Sequence, residues 1–179
     1  MPHMRLIAIA LATTALVVTP TLAGAQTAPP RPAAITSPHA ASLTAVPKFI
    51  FHAALAFGAF HHFIYLPFKA GKFTSGGFFS KLKTYAAAAL AGLFVYHETK
   101  LALQDAKQNK VLKVLVSPVT AVIAAFSTIV AKVKAHNLDT TTLNSAQSAV
   151  TAIENQAKRT GSSISETIPT TKQLLTGSA

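Results

Sequence analysis

The chain has 179 residues, of which 50% are hydrophobic and 12% charged, and it contains no cysteine. Lys and Arg number 16 against 5 Asp and Glu, a formal charge of +11 with histidine neutral. The missing thiols exclude disulfides, thiolate metal sites, thiol-linked lipid and a cysteine nucleophile, while the length supports one domain with a real core.

Residues 1–25 have the pattern of an export signal. Arg5 supplies a positive start, Leu6 to Val18 is a mostly apolar run, and Ala23-Gly24-Ala25 predicts a cut before Gln26. The expected location is therefore extracytoplasmic, either secreted or held at the cell envelope. Residues 26–46 are rich in Ala, Pro, Thr and Ser. Such a stretch cannot bury enough apolar surface to offset its ordering entropy, which predicts a disordered linker.

The helical domain is expected over 47–158. Pro47 suits a first-turn position, where its missing N–H is no loss, and the helix it opens should run to about Tyr65 before Pro67 stops it. Gly71 and Thr74 to Gly77 mark a loop. Ser80 can cap a second helix through Tyr85, Leu90, Phe94 and Leu101 to about Lys107. Gln108-Asn109-Lys110 reads as a break, with a short turn over Val111 to Val116. Ser117-Pro118 is a cap-plus-first-position pair for a third helix reaching Lys134. Asp139 can cap a fourth, with an apolar stripe of Leu143, Ala146, Val150, Ile153 and Ala157. The fold class is all-α, a small bundle of about four helices. Residues 159–179 read as a flexible, frayed tail with at most a short docked piece at Ile164–Ile168.

The first two helices carry small residues one turn apart, Ala54 with Gly58 and Ala88 with Gly92. Such faces let backbones approach closely, and they predict an antiparallel pair. A membrane span needs about 20 mostly apolar residues. Phe49–Phe68 has the length but contains His52, His61 and His62, and Val114–Ala131 contains Pro118 and several hydroxyls. Lysines follow every apolar stretch evenly, without the one-sided concentration of a multi-span protein. A soluble or surface-associated bundle is thus expected, with a membrane-embedded helical protein as the alternative.

Site chemistry rests on the histidines. His52, His61, His62 and His97 are the candidate cofactor ligands, since imidazole is the commonest metal ligand and can hold haem iron. Adjacent His61 and His62 point about 100° apart on a helix and cannot share one partner. Antiparallel pairing weakens a four-histidine site but permits a His52–His97 pair. Half-buried rings with one hydrogen-bond partner each are the plainer reading, and no cofactor or metal is assigned. Glu98 reads as a solvated helix residue or a partner for a nearby Lys.

Enzyme templates fail. His97-Glu98 lacks the second histidine four residues on, because Leu101 stands there. The chain has no nucleophile elbow, phosphate loop or dinucleotide fingerprint. Its five acids are scattered, so the expectation is a non-enzymatic protein. The excess of Lys over Arg comes without a nucleic-acid motif, which argues against nucleic acid as partner.

Phe60-His61-His62-Phe63-Ile64-Tyr65-Leu66-Pro67-Phe68-Lys69-Ala70-Gly71 and Tyr96-His97-Glu98-Thr99-Lys100-Leu101-Ala102-Leu103 resemble segments of small secreted proteins of actinobacteria. The resemblance covers the middle third of the chain. It implies an exported helical protein and carries over no functional residue. Together these readings predict a basic helical protein that associates with anionic envelope polymers or a phospholipid surface. The candidate contacts are Lys69, Lys72, Lys81, Lys83, Lys107, Lys110 and Lys113. The alternative function is a haem or metal carrier.

Overall fold

The first helix, α1, begins at Pro38 and runs to Phe60, nine residues earlier than Pro47 predicts. A computed structural model describes residues 38–178, with side chains from 44 onward. The leader expected at 1–25 and residues 26–37 of the expected linker lie outside the described residues. Residues 38–46, expected as linker, are helical instead. Proline suits a first turn, and Pro38 takes that place, leaving Pro47 in the helix interior. An interior proline costs about 3 kcal/mol. The following turns offset that by burying Phe49, Ala53, Phe57 and Phe60.

The chain does not stop before Pro67. A π-turn at His61–Tyr65 leads directly into α2, Leu66–Lys69. The Leu66 N–H donates to His61 O, five residues back. A widened turn placed just before Pro67 accommodates a ring and a missing N–H that a regular α-turn would not. After a loop, α3 covers Phe78–Gln108. Gly77, not Ser80, is its N-cap, so α3 starts two residues before the expected capping side chain.

α3 ends at the expected break. A 3-10 turn over Leu112–Leu115 then leads into α4, Val116–Lys134. Ser117 does not cap α4. The Asn109 side chain accepts from the Val111 N–H at 2.8 Å and so caps the 3-10 turn one step earlier. Helix α5, Thr140–Arg159, is capped by Asp139, which accepts from the Thr142 N–H at 2.8 Å. All five residues of its expected stripe are buried. Among the described residues every regular element is helical.

α1 and α3 form the most extensive pair and run antiparallel, since His52 meets Glu98 and Asp105 while Ile64 approaches Gly92. Their small residues do not serve that pairing in the expected way. A Cβ on Gly58 would lie 2.1 Å from Thr167 O, so this glycine admits the tail backbone. A Cβ on Gly92 would lie 3.0 Å from Val130, so that glycine admits α4. α4 turns Val119, Val122, Phe126, Ile129 and Val133 inward, where Phe126 meets Phe60 at 5.2 Å between ring centroids.

The segment expected as a flexible tail is docked. Ser162 and Ile164 are buried, and the Thr167 N–H donates to Ala54 O at 3.0 Å. A short helix, α6 at Thr171–Thr176, follows with a capping box between Thr170 and Gln173 and packs on α3.

Candidate functional site

The helix pairing sets the positions of the four histidines, and it does not bring them together. His52 projects from α1 onto α3, where Nδ1 lies 2.8 Å from Glu98 Oε2. A carboxylate only accepts, so Nδ1 carries the proton. The Ser178 hydroxyl donates to the same Glu98 oxygen at 2.6 Å, and the Ser178 N–H donates to Oε1 at 3.1 Å. Glu98 is therefore fully buried instead of solvated, and its partners are a histidine and the chain's C-terminal segment. Burial pushes its carboxyl up, but the hydrogen bonds from His52 and Ser178 outweigh burial and hold it below the ordinary carboxylate value.

Ser178, His52 and Glu98 share the composition of a hydrolase triad without its geometry. Ser178 Oγ, at 3.2 Å, and Glu98 both face Nδ1, whereas a triad places serine and acid on opposite ring nitrogens. The other nitrogen, Nε2, lies 3.8 Å from Asp105 Oδ2, beyond hydrogen-bond range. That oxygen is buried without a hydrogen-bond partner, and burial raises the Asp105 carboxyl above its ordinary value against the pull of His52 and Lys48. The arrangement works as a clasp that ties the chain's end to α1 and α3.

His61 fastens the same segment one step earlier. Its Nδ1 is 2.5 Å from Glu166 Oε1, and its Nε2 meets the Gln147 side chain. Both ring nitrogens are thus occupied. His62 is exposed beside Lys72 and Lys83, and His97 is exposed in a groove beside Leu174 and Gly177. The permitted His52–His97 pair is replaced by His52–Glu98, because His97 points off the buried face that its neighbour Glu98 occupies. Among the described residues no group of three or more histidines and carboxylates could hold a metal ion.

The seven candidate lysines separate into two groups. Lys69 and Lys72 lie in and just after α2, and Lys81 and Lys83 lie in the first turns of α3. Lys107, Lys110 and Lys113 lie at or beyond the other end of α3, a 31-residue helix about 46 Å long. The first group shares its end with the close of α4. There His136 adopts a left-handed backbone (φ 52°) and stacks edge-on against Tyr85 at 4.4 Å. No Asp or Glu precedes Glu98 in the sequence, and Asp139 at this end is held by Lys132 at 2.6 Å.

Two residues that the sequence reading did not single out stand at this tip. Phe78 and Phe79 are 74% and 77% exposed, the most exposed large apolar side chains among the described residues, and Leu82 stands beside them on α3. Their rings meet edge-to-face at 5.7 Å. The available signal was the Phe-Phe pair directly after Gly76-Gly77, outside any core-facing helical stripe. Three segments, 44–69, 78–108 and 112–134, are long and apolar enough to cross a membrane. Comparison with family models, with curated proteins and with solved structures finds no match.

Proposed function

We propose that this is an exported, non-enzymatic helical protein that attaches to anionic surfaces of the cell envelope through the end of the bundle carrying Lys69, Lys72, Lys81 and Lys83. The leader-like pattern at 1–25 supports export. The gathering of four lysines at one end, with Asp139 already engaged by Lys132, is the observation that carries the attachment reading. Lys107, Lys110 and Lys113 then serve the opposite end and are not part of that surface.

Attachment from the water side is favoured over insertion by what the long helices turn outward. The exposed face of α4 carries Ser117, Thr120, Ala121, Ala124, Ser127 and Thr128, and beyond Leu93 α3 turns His97, Lys100, Gln104 and Lys107 outward, while its large exposed apolar side chains, Phe78, Phe79, Leu82 and Leu93, lie in its first half. A lipid-facing surface would carry large aliphatic side chains there. The experiment is sedimentation of the protein without detergent, alone and with phosphatidylglycerol vesicles or cell-wall polymer. The protein should stay in solution alone, pellet with the anionic material at low salt, and be released at about 1 M salt, where charges are screened within about 3 Å. Failure to pellet at low salt would remove the reading.

A further inference from the structure

The exposed aromatic tip and the lysines around it point to one kind of surface. We infer that Phe78, Phe79 and Leu82 form a wedge that enters the headgroup boundary of an anionic phospholipid bilayer. This inference rests on the attachment reading above and names its partner.

Three features of the tip carry it. Phe78 and Leu82 are one turn apart and line an apolar hollow of about 200 Å³ with Tyr85 and His136, and Phe79 lies against Phe78. A soluble surface gains nothing by displaying two adjoining phenyl rings, whereas an interfacial helix buries such rings at the acyl boundary. On the other side of α3, Lys72 and Lys83 converge with His62 on a second hollow of about 250 Å³. Its lining also includes Phe63, Pro67 and Ala87, so two lysines and a histidine beside an apolar wall suit the headgroup of an anionic lipid. The lysine stems can lie along the apolar surface while their charges stay at the phosphate level. A hydrophilic wall polymer would use the lysines and leave the rings in water, so the rings select the bilayer.

The full chain has no tryptophan, so Phe79→Trp introduces a single indole at the tip. With vesicles containing phosphatidylglycerol, its emission should shift to the blue and be quenched by lipids brominated near the headgroup. The double variant Phe78→Ser/Phe79→Ser, with unchanged helix content, should bind these vesicles about a hundredfold more weakly, since each of the two buried phenyl rings is worth about tenfold. It should bind dextran sulfate, an anionic polymer without acyl chains, as well as the wild type does. An unquenched indole on bound vesicles, or equal vesicle binding by the double-serine variant, would overturn the wedge and leave attachment by charge alone. Wild-type binding to dextran sulfate but not to vesicles would overturn the bilayer and leave the attachment reading. Binding to neither would overturn both.

Discussion

Glu98 and Asp105 sit two turns apart on α3, both facing His52, and their ionisation acts in opposite directions. Glu98 is held below the ordinary carboxylate value despite burial, so its contribution to stability is present above about pH 4.5. It is lost as pH falls through the lower, folded-state value. Removing the Glu98 carboxylate leaves the His52 Nδ1–H and the Ser178 donors without their buried acceptor, at a cost of about 1–3 kcal/mol. Glu98→Ala should therefore lower the thermal midpoint at pH 7, and the gap to wild type should close as the pH falls below about 4.5 and through the lower, folded-state value. Asp105 is raised by burial and keeps an oxygen without a hydrogen-bond partner. Its charge opposes folding once pH exceeds the folded-state value, so Asp105→Asn should raise the midpoint at pH 7. A thermal-melt series against pH reads both signs. Neither role was legible in the sequence, where Glu98 read as solvated. Its partners, His52 and Ser178, lie 46 and 80 residues away, and local spacing carries no trace of a clasp closed over that distance.

At the level of elements, legibility followed apolar periodicity. The α5 stripe from Leu143 to Ala157 repeats at helical spacing and is buried in full, and its Asp139 cap is a local hydrogen bond. The start of α1 was missed because proline marks a first turn equally well at 38 and at 47. The docked tail was legible only as a short piece at Ile164–Ile168, which does dock, while the anchoring of Ser162, Ser178 and α6 was not. Apart from Ile164 and Leu174, which join the core, it is held by backbone and polar contacts, and its closest seat is a glycine, which has no side chain to signal a partner. Gly58 is the residue that tests this. A valine there would place its Cβ against the Thr167 carbonyl, where the available distance is 2.1 Å. Gly58→Val should release the segment from 162 onward, seen as lost exchange protection at the Thr167 amide and as new proteolytic sites. The α1–α3–α4 core should survive that change. Phe126→Ala, by contrast, opens a cavity against Phe60 and should cost about 3–5 kcal/mol in denaturant unfolding.

On the scale of the whole molecule, charge and shape are distributed unevenly. The sequence reading grouped seven lysines as one surface because linear order shows their spacing but not that about 36 Å of straight helix separates Lys83 from Lys107. It passed over Phe78 and Phe79 because an aromatic pair looks like core until its exposure is known. Both ends are basic, and the exposed aromatic pair stands at the end that gathers four lysines, so charge and apolar exposure favour the same face. Each lysine near an anionic leaflet is worth about 1 kcal/mol, so four at the tip supply about a thousandfold in partition at low salt, and screening removes most of it. The most direct measurement is co-sedimentation with phosphatidylglycerol vesicles of two charge-reversed variants, one with Lys69, Lys72, Lys81 and Lys83 changed to Glu, the other with Lys107, Lys110 and Lys113 changed to Glu. Attachment through the tip predicts that the first variant stays in the supernatant while the second pellets as the wild type does. Equal loss in both variants, or loss only in the second, would contradict it.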